Sequence, residues 1–347
     1  MGEYARCLAI ARAASQRWQG AAIHFLLSRA APYAADVAFP ATLLDASPTF
    51  HSAAVIELLE AWRPDVVIFD SAGRTAQLRA ARRLGARVVY ISARRRQRHK
   101  AFRWRWMSLI DEHWIAYPEF IAGSLGFFER FKLKVAAGPV VRYLDVVLSR
   151  ADPAQRAAIL ARAGFEPGPF VLVVPGGGTG HPGADDAADR FRTAARALAG
   201  NGVATVYVGP AGASGIAEDA GAASDWHPLG SLPQAQLVEL MRAARFIISN
   251  GGSTLLQAIA CGNACIAVAI AKDQHDRIRR CVAAGVALEA PLDAAGIVQS
   301  ANRLLQHEDQ RVALKRRSAQ LGLADGVQIA LQALAGLLPA AQRAQGT

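Results

Sequence analysis

The sequence is poor in acidic residues, in cysteine and in long apolar runs. Its 39 Lys and Arg outnumber 28 Asp and Glu, so the net charge of +11 favours an anionic partner, whether nucleic acid, acidic lipid or a phosphorylated substrate. The four cysteines lack the spacing of metal ligands and fit a reducing compartment. The longest apolar runs have about eight residues, against ~20 for a membrane helix. Because no secretory signal opens the chain, we expect a cytoplasmic protein.

Apolar segments and helical patterns alternate along the chain. Hydrophobic residues make up 52% of the 347 positions, which is enough for two domains with sizeable cores. The alternation predicts an α/β fold with doubly wound parallel sheets. We place a first domain at 1–141 and a second domain, with a helical tail, at 142–347. The stretch 132–142 is predicted to carry the last strand of the first domain into Gly138-Pro139.

The most informative stretch is 245–274. A short apolar strand ends at a glycine pair, and a helix should begin directly after it, where small hydroxyl residues suit a first turn. The next strand follows, so both loops lie at the carboxyl edge of a parallel sheet, where open α/β sheets bind ligands. A helix N-terminus carries roughly +0.5 of a charge and suits a diphosphate. The candidate binding residues here are Gly251, Gly252, Ser253 and Thr254.

A second glycine bend follows the buried strand 170–174. Adjacent glycines allow the backbone to approach a ligand closely, and a threonine hydroxyl can reach a phosphate. The bend is neither a GxGxxG dinucleotide motif nor a Walker loop. The candidate residues are Gly176, Gly177, Gly178 and Thr179.

The spacing of the glycine pair, Gln257, Gly262 and the pair Asp273-Gln274 resembles the donor segment of GT-B glycosyltransferases. The similarity is to the lipid-linked peptidoglycan N-acetylglucosamine transferases and to the related nucleotide-sugar hydrolases of pseudaminic acid synthesis. It implies two Rossmann-like domains facing a cleft. Gln257 stands where these families commonly have a Glu that holds the ribose hydroxyls, and the resemblance implies that Asp273 and Gln274 contact the donor sugar or its phosphates.

The same resemblance implies that the loop Gly230, Ser231 and Leu232 covers the nucleotide base. At the start of the chain, residues 2–7 resemble the turn after the first strand of these families, yet no strand precedes Gly2. We therefore expect a start of translation further upstream, the alternatives being a shortened clone or a sheet without one central strand.

Two carboxylates are candidates for the general base on the acceptor side. Glu3 stands where the hydrolases place a catalytic His, although an acidic residue also suits a first helical turn. Asp70 ends the buried strand 66–69 and would face the ligand edge, although Asp is also a common turn residue.

The most basic stretch, 93–106, interleaves cations with aromatic residues. Such a mixture suits an anionic bilayer, and it can also stack and pair with nucleic acid, although no nucleic-acid fold motif accompanies it. A solvated loop with packing tryptophans is the third reading. The residues of this predicted patch are Arg94, Arg95, Arg96, Arg98, Lys100, Trp104 and Trp106.

Together these features predict an inverting, metal-independent glycosyltransferase. Its donor would be a nucleotide-diphosphate sugar, most naturally a UDP-sugar, and its acceptor a hydroxyl of a saccharide or of a lipid-carried substrate. We expect no cofactor and no metal site, and a cytoplasmic protein that is peripheral on the inner face of the membrane. The alternatives are a nucleotide-sugar hydrolase of the same fold, a basic nucleic-acid-binding protein and a catalytically inactive relative.

Overall fold

The computed structural model describes residues 2–31, 33–136, 138–148, 150–164, 170–176, 186–210 and 225–339. Contacts divide the chain into two compact units, Met1–Val147 with Ala324–Thr347, and Leu148–Leu323. The sequence analysis placed this division after residue 141 and kept the whole tail in the second domain. In the structure the last helix packs with the first one, in the core of the first unit.

The first unit alternates strands and helices along the chain. Its elements are α1 (Gly2–Arg17), β1 (Phe25–Ser28), β2 (Ala41–Leu44), α2 (Ser52–Trp62), β3 (Val66–Asp70), α3 (Thr75–Arg83), β4 (Arg87–Ser92), α4 (Arg95–Ala101), α5 (Trp104–Met107), β5 (Glu112–Ile115), α6 (Glu119–Ala122), α7 (Phe127–Val135) and β6 (Val140–Tyr143), and the later helix α15 (Gly326–Leu337) completes it. Two 3-10 turns, Ala34–Asp36 and Pro48–Phe50, lie in its loops.

The parallel sheet of the first unit is in two pieces. Strands β3, β4, β5 and β6 pair in that order, and β1 pairs with β2 alone. Among the described residues, no strand pairs with the free side of β1 or of β3. The described strands therefore match a sheet without one central strand, which the sequence analysis kept as an alternative, and Ile68 of β3 is 36% exposed.

Helices pack on both faces of this sheet, and one helical layer covers both of its pieces. One layer is α1 with α15, where Ile10 and Leu331 pack in a core that Val66 of β3 borders. The other layer is α2 with α3, and Leu26 of β1 and Val67 of β3 border the same cluster there. Apolar burial thus holds β1 and β3 in one sheet layer although they do not pair.

At α7 the structure differs from the predicted last strand of the first domain. Residues 132–135 were predicted to lead into the last strand, but they are the final turn of a helix, and the strand begins only at Val140. A four-residue spacing of Phe127, Phe131 and Val135 gives this segment the period of a helix. Gly126 precedes the helix, and its N–H donates to Oε2 of Glu129 at 2.8 Å, which fixes the first turn.

The second unit is a doubly wound α/β domain. Its elements are α8 (Pro153–Ala163), β7 (Val171–Val174), α9 (Ala187–Gly200), β8 (Thr205–Tyr207), β9 (Trp226–Pro228), α10 (Gln234–Ala243), β10 (Phe246–Asn250), α11 (Ser253–Ala260), β11 (Cys265–Val268), α12 (Lys272–Ala283), β12 (Leu288–Ala290), α13 (Ala294–Gln306) and α14 (Glu308–Gln320).

The six strands of this unit are all parallel, in the order β12-β11-β10-β7-β8-β9. From β7 the chain moves outward in one direction and from β10 in the other, so the topological switch point lies between these two central strands. Their side chains, such as Val173 and Ile248, are fully buried. Open α/β sheets bind ligands beyond the carboxyl ends of the strands at this point.

Candidate functional site

The two glycine bends predicted from the sequence both begin at the switch point. Gly176 follows β7, and Gly251 follows β10, which pairs with β7 in register Ser249 to Val174. Gly176 has a φ of +104°, and a Cβ there would lie 2.1 Å from Nδ2 of Asn250. Only glycine fits, because the backbone of the first bend touches the side chain that opens the second.

Asn250 holds the second bend in shape. Its side chain is buried, and Oδ1 accepts a hydrogen bond from the N–H of Gly252 at 3.0 Å. A Cβ on Gly252 would come within 2.9 Å of the same oxygen. Asn250 therefore fixes both bends, although the sequence analysis did not name it as a site residue.

Gln274, in the first turn of α12, braces the second bend. Its side-chain oxygen accepts from the N–H of Gly251 at 3.1 Å and from the N–H of Ile270 at 3.0 Å, and only 5% of the residue is exposed. Arg277 donates to the carbonyl of Gly251 and lies 3.6 Å from Asp273. The oxygen of Gln274 is thus already committed to the protein backbone.

Helix α11 begins directly after the second glycine bend, so its N-terminus lies at that bend. Gly252 is the N-cap and supplies no side chain, so Ser253 and Thr254 lie inside the helix. Helix N–H groups in a first turn lack partners within the helix, and the helix dipole favours an anion there. One turn further, Gln257 is 9% exposed. The N-terminal end of α11 thus lies beside the glycine bends, and its free N–H groups and dipole suit an anion.

The other predicted donor residues are placed as follows. Asp273 is in the first turn of α12 with 71% of its side chain exposed. Gly230, with a φ of +66°, Ser231 and Leu232 form the loop between β9 and α10, and Ser231 is exposed. Gly177, Gly178 and Thr179 lie outside the described residues.

In the first unit, Asp70 is held by a bidentate ion pair. Arg6 of α1 donates to its two carboxylate oxygens at 3.0 and 2.6 Å, and both side chains are less than 10% exposed. The Cys7 thiol and the Ser71 hydroxyl also donate to Asp70, at 3.3 and 3.1 Å. Burial and the nearby Asp70 carboxylate raise the pKa of Cys7 well above its usual value, so this thiol stays protonated.

Glu3 lies in the first turn of α1 and is exposed. It makes no salt bridge or side-chain hydrogen bond with the residues that the structure describes. The two candidate bases therefore differ, since Asp70 is tied to Arg6 and Glu3 is open to solvent.

The predicted basic patch separates into buried and exposed members. Arg98 is buried and donates to Glu129 at 2.6 Å and to three backbone carbonyls, while the Trp106 indole donates to Thr75. Lys100 donates to the carbonyl of Gly73 and lies 4.1 Å from the centre of the Trp106 ring. These three side chains stabilise the fold. The members that face solvent are Arg94, Arg95, Arg96 and Trp104.

In the described part of the chain, no three or more His, Cys, Asp or Glu side chains are grouped so that they could hold a metal ion. No helix within this part combines the length and apolar character needed to cross a bilayer.

Comparisons with known proteins identify the fold. No protein-family profile and no curated protein matches the sequence. Among solved structures, a UDP-N-acetylglucosamine 2-epimerase matches with a TM-score of 0.60 at 16% identity, over 95% of this chain and 92% of its own. The spinosyn forosaminyltransferase SpnP matches with 0.63 at 12%, over 96% of each chain. The MnaA protein of S. aureus, solved with UDP, matches with 0.54 at 13%, over 86% of this chain and 80% of its own. The chain has the GT-B fold, as these neighbours do.

Proposed function

We propose that this protein is a glycosyltransferase that moves a sugar from a nucleotide-diphosphate sugar, with UDP as the nucleotide, to a hydroxyl acceptor. The observation that carries the proposal is the meeting of two glycine bends at the switch point of the second sheet, where Gly176 touches Asn250. A diphosphate fits there because the first-turn N–H groups of α11 lack partners within the helix and the helix dipole favours an anion, while Gln274 and Asn250 hold the N–H groups of Gly251 and Gly252 in place.

The chemistry follows from where charge develops during transfer. As the bond between the sugar and the diphosphate breaks, negative charge grows on the leaving oxygen, and fixed N–H dipoles stabilise it without a metal ion. Gln274 and Arg277 keep the carbonyl and N–H of Gly251 in place, so the bend does not reorganise when that charge appears. Thr254 and Gln257 are our candidates for contacts to the phosphates and the ribose.

On the acceptor side we assign the general base to Glu3. Its carboxylate is exposed, whereas the oxygens of Asp70 already accept four donors from Arg6, Cys7 and Ser71. Asp70 then positions Arg6 and the first turns of α1. The acceptor would be a saccharide hydroxyl, free or carried on a lipid.

Two other reactions, hydrolysis and epimerisation, would use the same donor site. In a hydrolase water replaces the acceptor, and in an epimerase, the activity named for one structural neighbour, the sugar stays on the nucleotide. Incubation with a panel of UDP-sugars, with and without a panel of sugar and lipid alcohols, separates the three. Release of UDP only when an acceptor is present supports transfer. Release of UDP and free sugar without acceptor indicates hydrolysis, and a changed UDP-sugar without release indicates epimerisation.

A matched pair of variants tests the donor site by itself. Gly176→Ala and Gly202→Ala both place a Cβ at a positive φ, +104° and +75°, but nothing lies within 4 Å of a Cβ at Gly202. We expect calorimetry to show at least about ten-fold weaker UDP binding for Gly176→Ala, the loss of about 1.4 kcal/mol, and unchanged binding for Gly202→Ala. Equal UDP affinity in both variants, or no UDP binding by the wild type, would remove the proposed site.

A further inference from the structure

Exposed aromatic side chains are concentrated on α7 of the first unit. Phe127 is 70% exposed, Phe128 74% and Phe131 50%, and Val135 at the end of the helix is 58% exposed. Soluble surfaces rarely carry adjacent large apolar groups, and a contiguous group of this kind marks an interaction surface.

These side chains form one continuous surface. Phe127, Phe131 and Val135 are four residues apart and therefore share one helix face. The rings of Phe127 and Phe128 pack edge to face with centres 5.6 Å apart. Lys132 joins this helix to α5, because its amine donates to the carbonyl of Phe102 and lies 5.6 Å from the ring centre of Trp104, which is itself 52% exposed.

The surroundings of this aromatic surface are basic. Of the four carboxylates between residues 94 and 135, three are engaged in ion pairs: Asp111 with Arg82 and Arg87, Glu112 with Arg142, and Glu129 with Arg98. Only Glu119 is left. The cations of the same segment that face solvent are Arg94, Arg95, Arg96, Arg103, Arg105, Arg130 and Lys134.

We propose that the α7 face, made of Phe127, Phe128, Phe131, Val135 and Trp104, docks on an anionic lipid bilayer and inserts its aromatic rings among the headgroups. Aromatic and aliphatic groups on one face with Lys and Arg beside them are the arrangement of a helix that lies in the membrane interface. The positive charge complements acidic lipid and would repel a basic protein partner. The helix lies on the surface and does not cross the bilayer.

This surface differs from the basic stretch predicted from the sequence. Three of that stretch's seven residues are committed to the fold, and the apolar part of the surface, apart from Trp104, comes from a helix that the sequence analysis did not predict. Lipid binding needs neither a nucleotide nor the second unit's glycine bends. It therefore stands or fails separately from the proposed transferase activity.

Flotation with vesicles tests the inference on the full-length protein. One vesicle is pure phosphatidylcholine, and the other contains about one third phosphatidylglycerol. We expect the wild type to float with the anionic vesicles at 0.1 M salt, to bind neutral vesicles at least ten-fold less, and to be released at 0.5 M salt, where the Debye length falls well below 10 Å.

Two variants locate the binding surface. Phe127→Ser/Phe128→Ser/Phe131→Ser removes three exposed rings and should lower the bound fraction at least ten-fold while leaving the melting temperature unchanged. Phe50→Ser is the matched control, because Phe50 is 73% exposed on a different element, and it should bind like the wild type. Failure of the wild type to float, or floating of the triple variant at wild-type levels, overturns the inference. A wild type that dimerises in sedimentation while the triple variant is monomeric would overturn it too, because the face would then bind a second copy of the chain.

Discussion

Replacing Gln274 by methionine should separate bracing of the glycine bend from contact with the ligand. Methionine has nearly the same shape, but its thioether sulfur is only a weak acceptor, so the N–H groups of Gly251 and Ile270 lose their shared amide oxygen. Gly251 keeps a second bond, to the carbonyl of Val268 at 3.1 Å, whereas we find no second acceptor for Ile270 among the described residues. The variant therefore leaves the part-buried N–H of Ile270 without an acceptor among the described residues.

An unsatisfied buried N–H costs about 1–3 kcal/mol, so we expect a loss of about 2 kcal/mol. For a domain of this size, that loss lowers the melting temperature by about 4–8 °C. Gln299→Met, on the exposed side of α13, is the control and should melt within about 1 °C of the wild type. Scanning calorimetry measures both, and titration with UDP should show at least ten-fold weaker binding for Gln274→Met. If Gln274→Met and Gln299→Met have the same melting temperature, Gln274 does not brace the bend.

Two other predictions concern the first unit. Burial lowers the pKa of His113 to about 3, below its unfolded value of 6.5, so the unfolded chain binds more protons between these pH values and stability falls as pH falls from 6.5. Between pH 7 and pH 5, the free energy of unfolding measured with urea should fall by about 2 kcal/mol more for the wild type than for His113→Asn. Equal decreases in the two proteins would contradict the lowered pKa of His113. Asp70→Asn leaves the buried Arg6 without its charged partner and should cost about 3–5 kcal/mol, while UDP binding measured below the melting temperature stays unchanged. A stable but inactive Asp70→Asn would instead mark Asp70 as the base.

The glycine bends could be located from the sequence because their signals are local. A buried strand, a glycine pair and a helix start follow one another between Phe246 and Thr254, and the carboxyl edge of a parallel sheet then follows from the order of elements. The same reasoning holds for Gly176, which follows β7 after a single proline. Local order thus predicted both bends and their position at the carboxyl edge of the sheet.

The partners of these residues could not be predicted in the same way. Gln274 bonds to a glycine 23 positions earlier, and Arg6 bonds to Asp70 over 64 positions. The residue type does not reveal such contacts, since a glutamine or an aspartate at a ligand edge serves a ligand or the backbone equally well. Only the folded chain shows which donors are already satisfied.

Helix α7 was missed although the sequence carries its period, and the direction of its apolar face could not be predicted at all. Its apolar residues recur every four positions, as they do in a helix that buries one side. Periodicity reports that a helix has an apolar face, but not whether that face turns towards the core. In the structure Phe127 and Phe131 turn outward, so pattern alone could not predict a docking surface there.

The divided sheet leaves the first unit with two unpaired strand edges among the described residues, one on β1 and one on β3. Amides on the free sides of β1 and β3 have no strand across from them in the described chain, so they should exchange their protons with heavy water far faster than amides that face β2 or β4. Local unfolding should begin along these unpaired edges when the protein is warmed. An extended peptide that added a strand between them would supply the missing hydrogen bonds and close the gap.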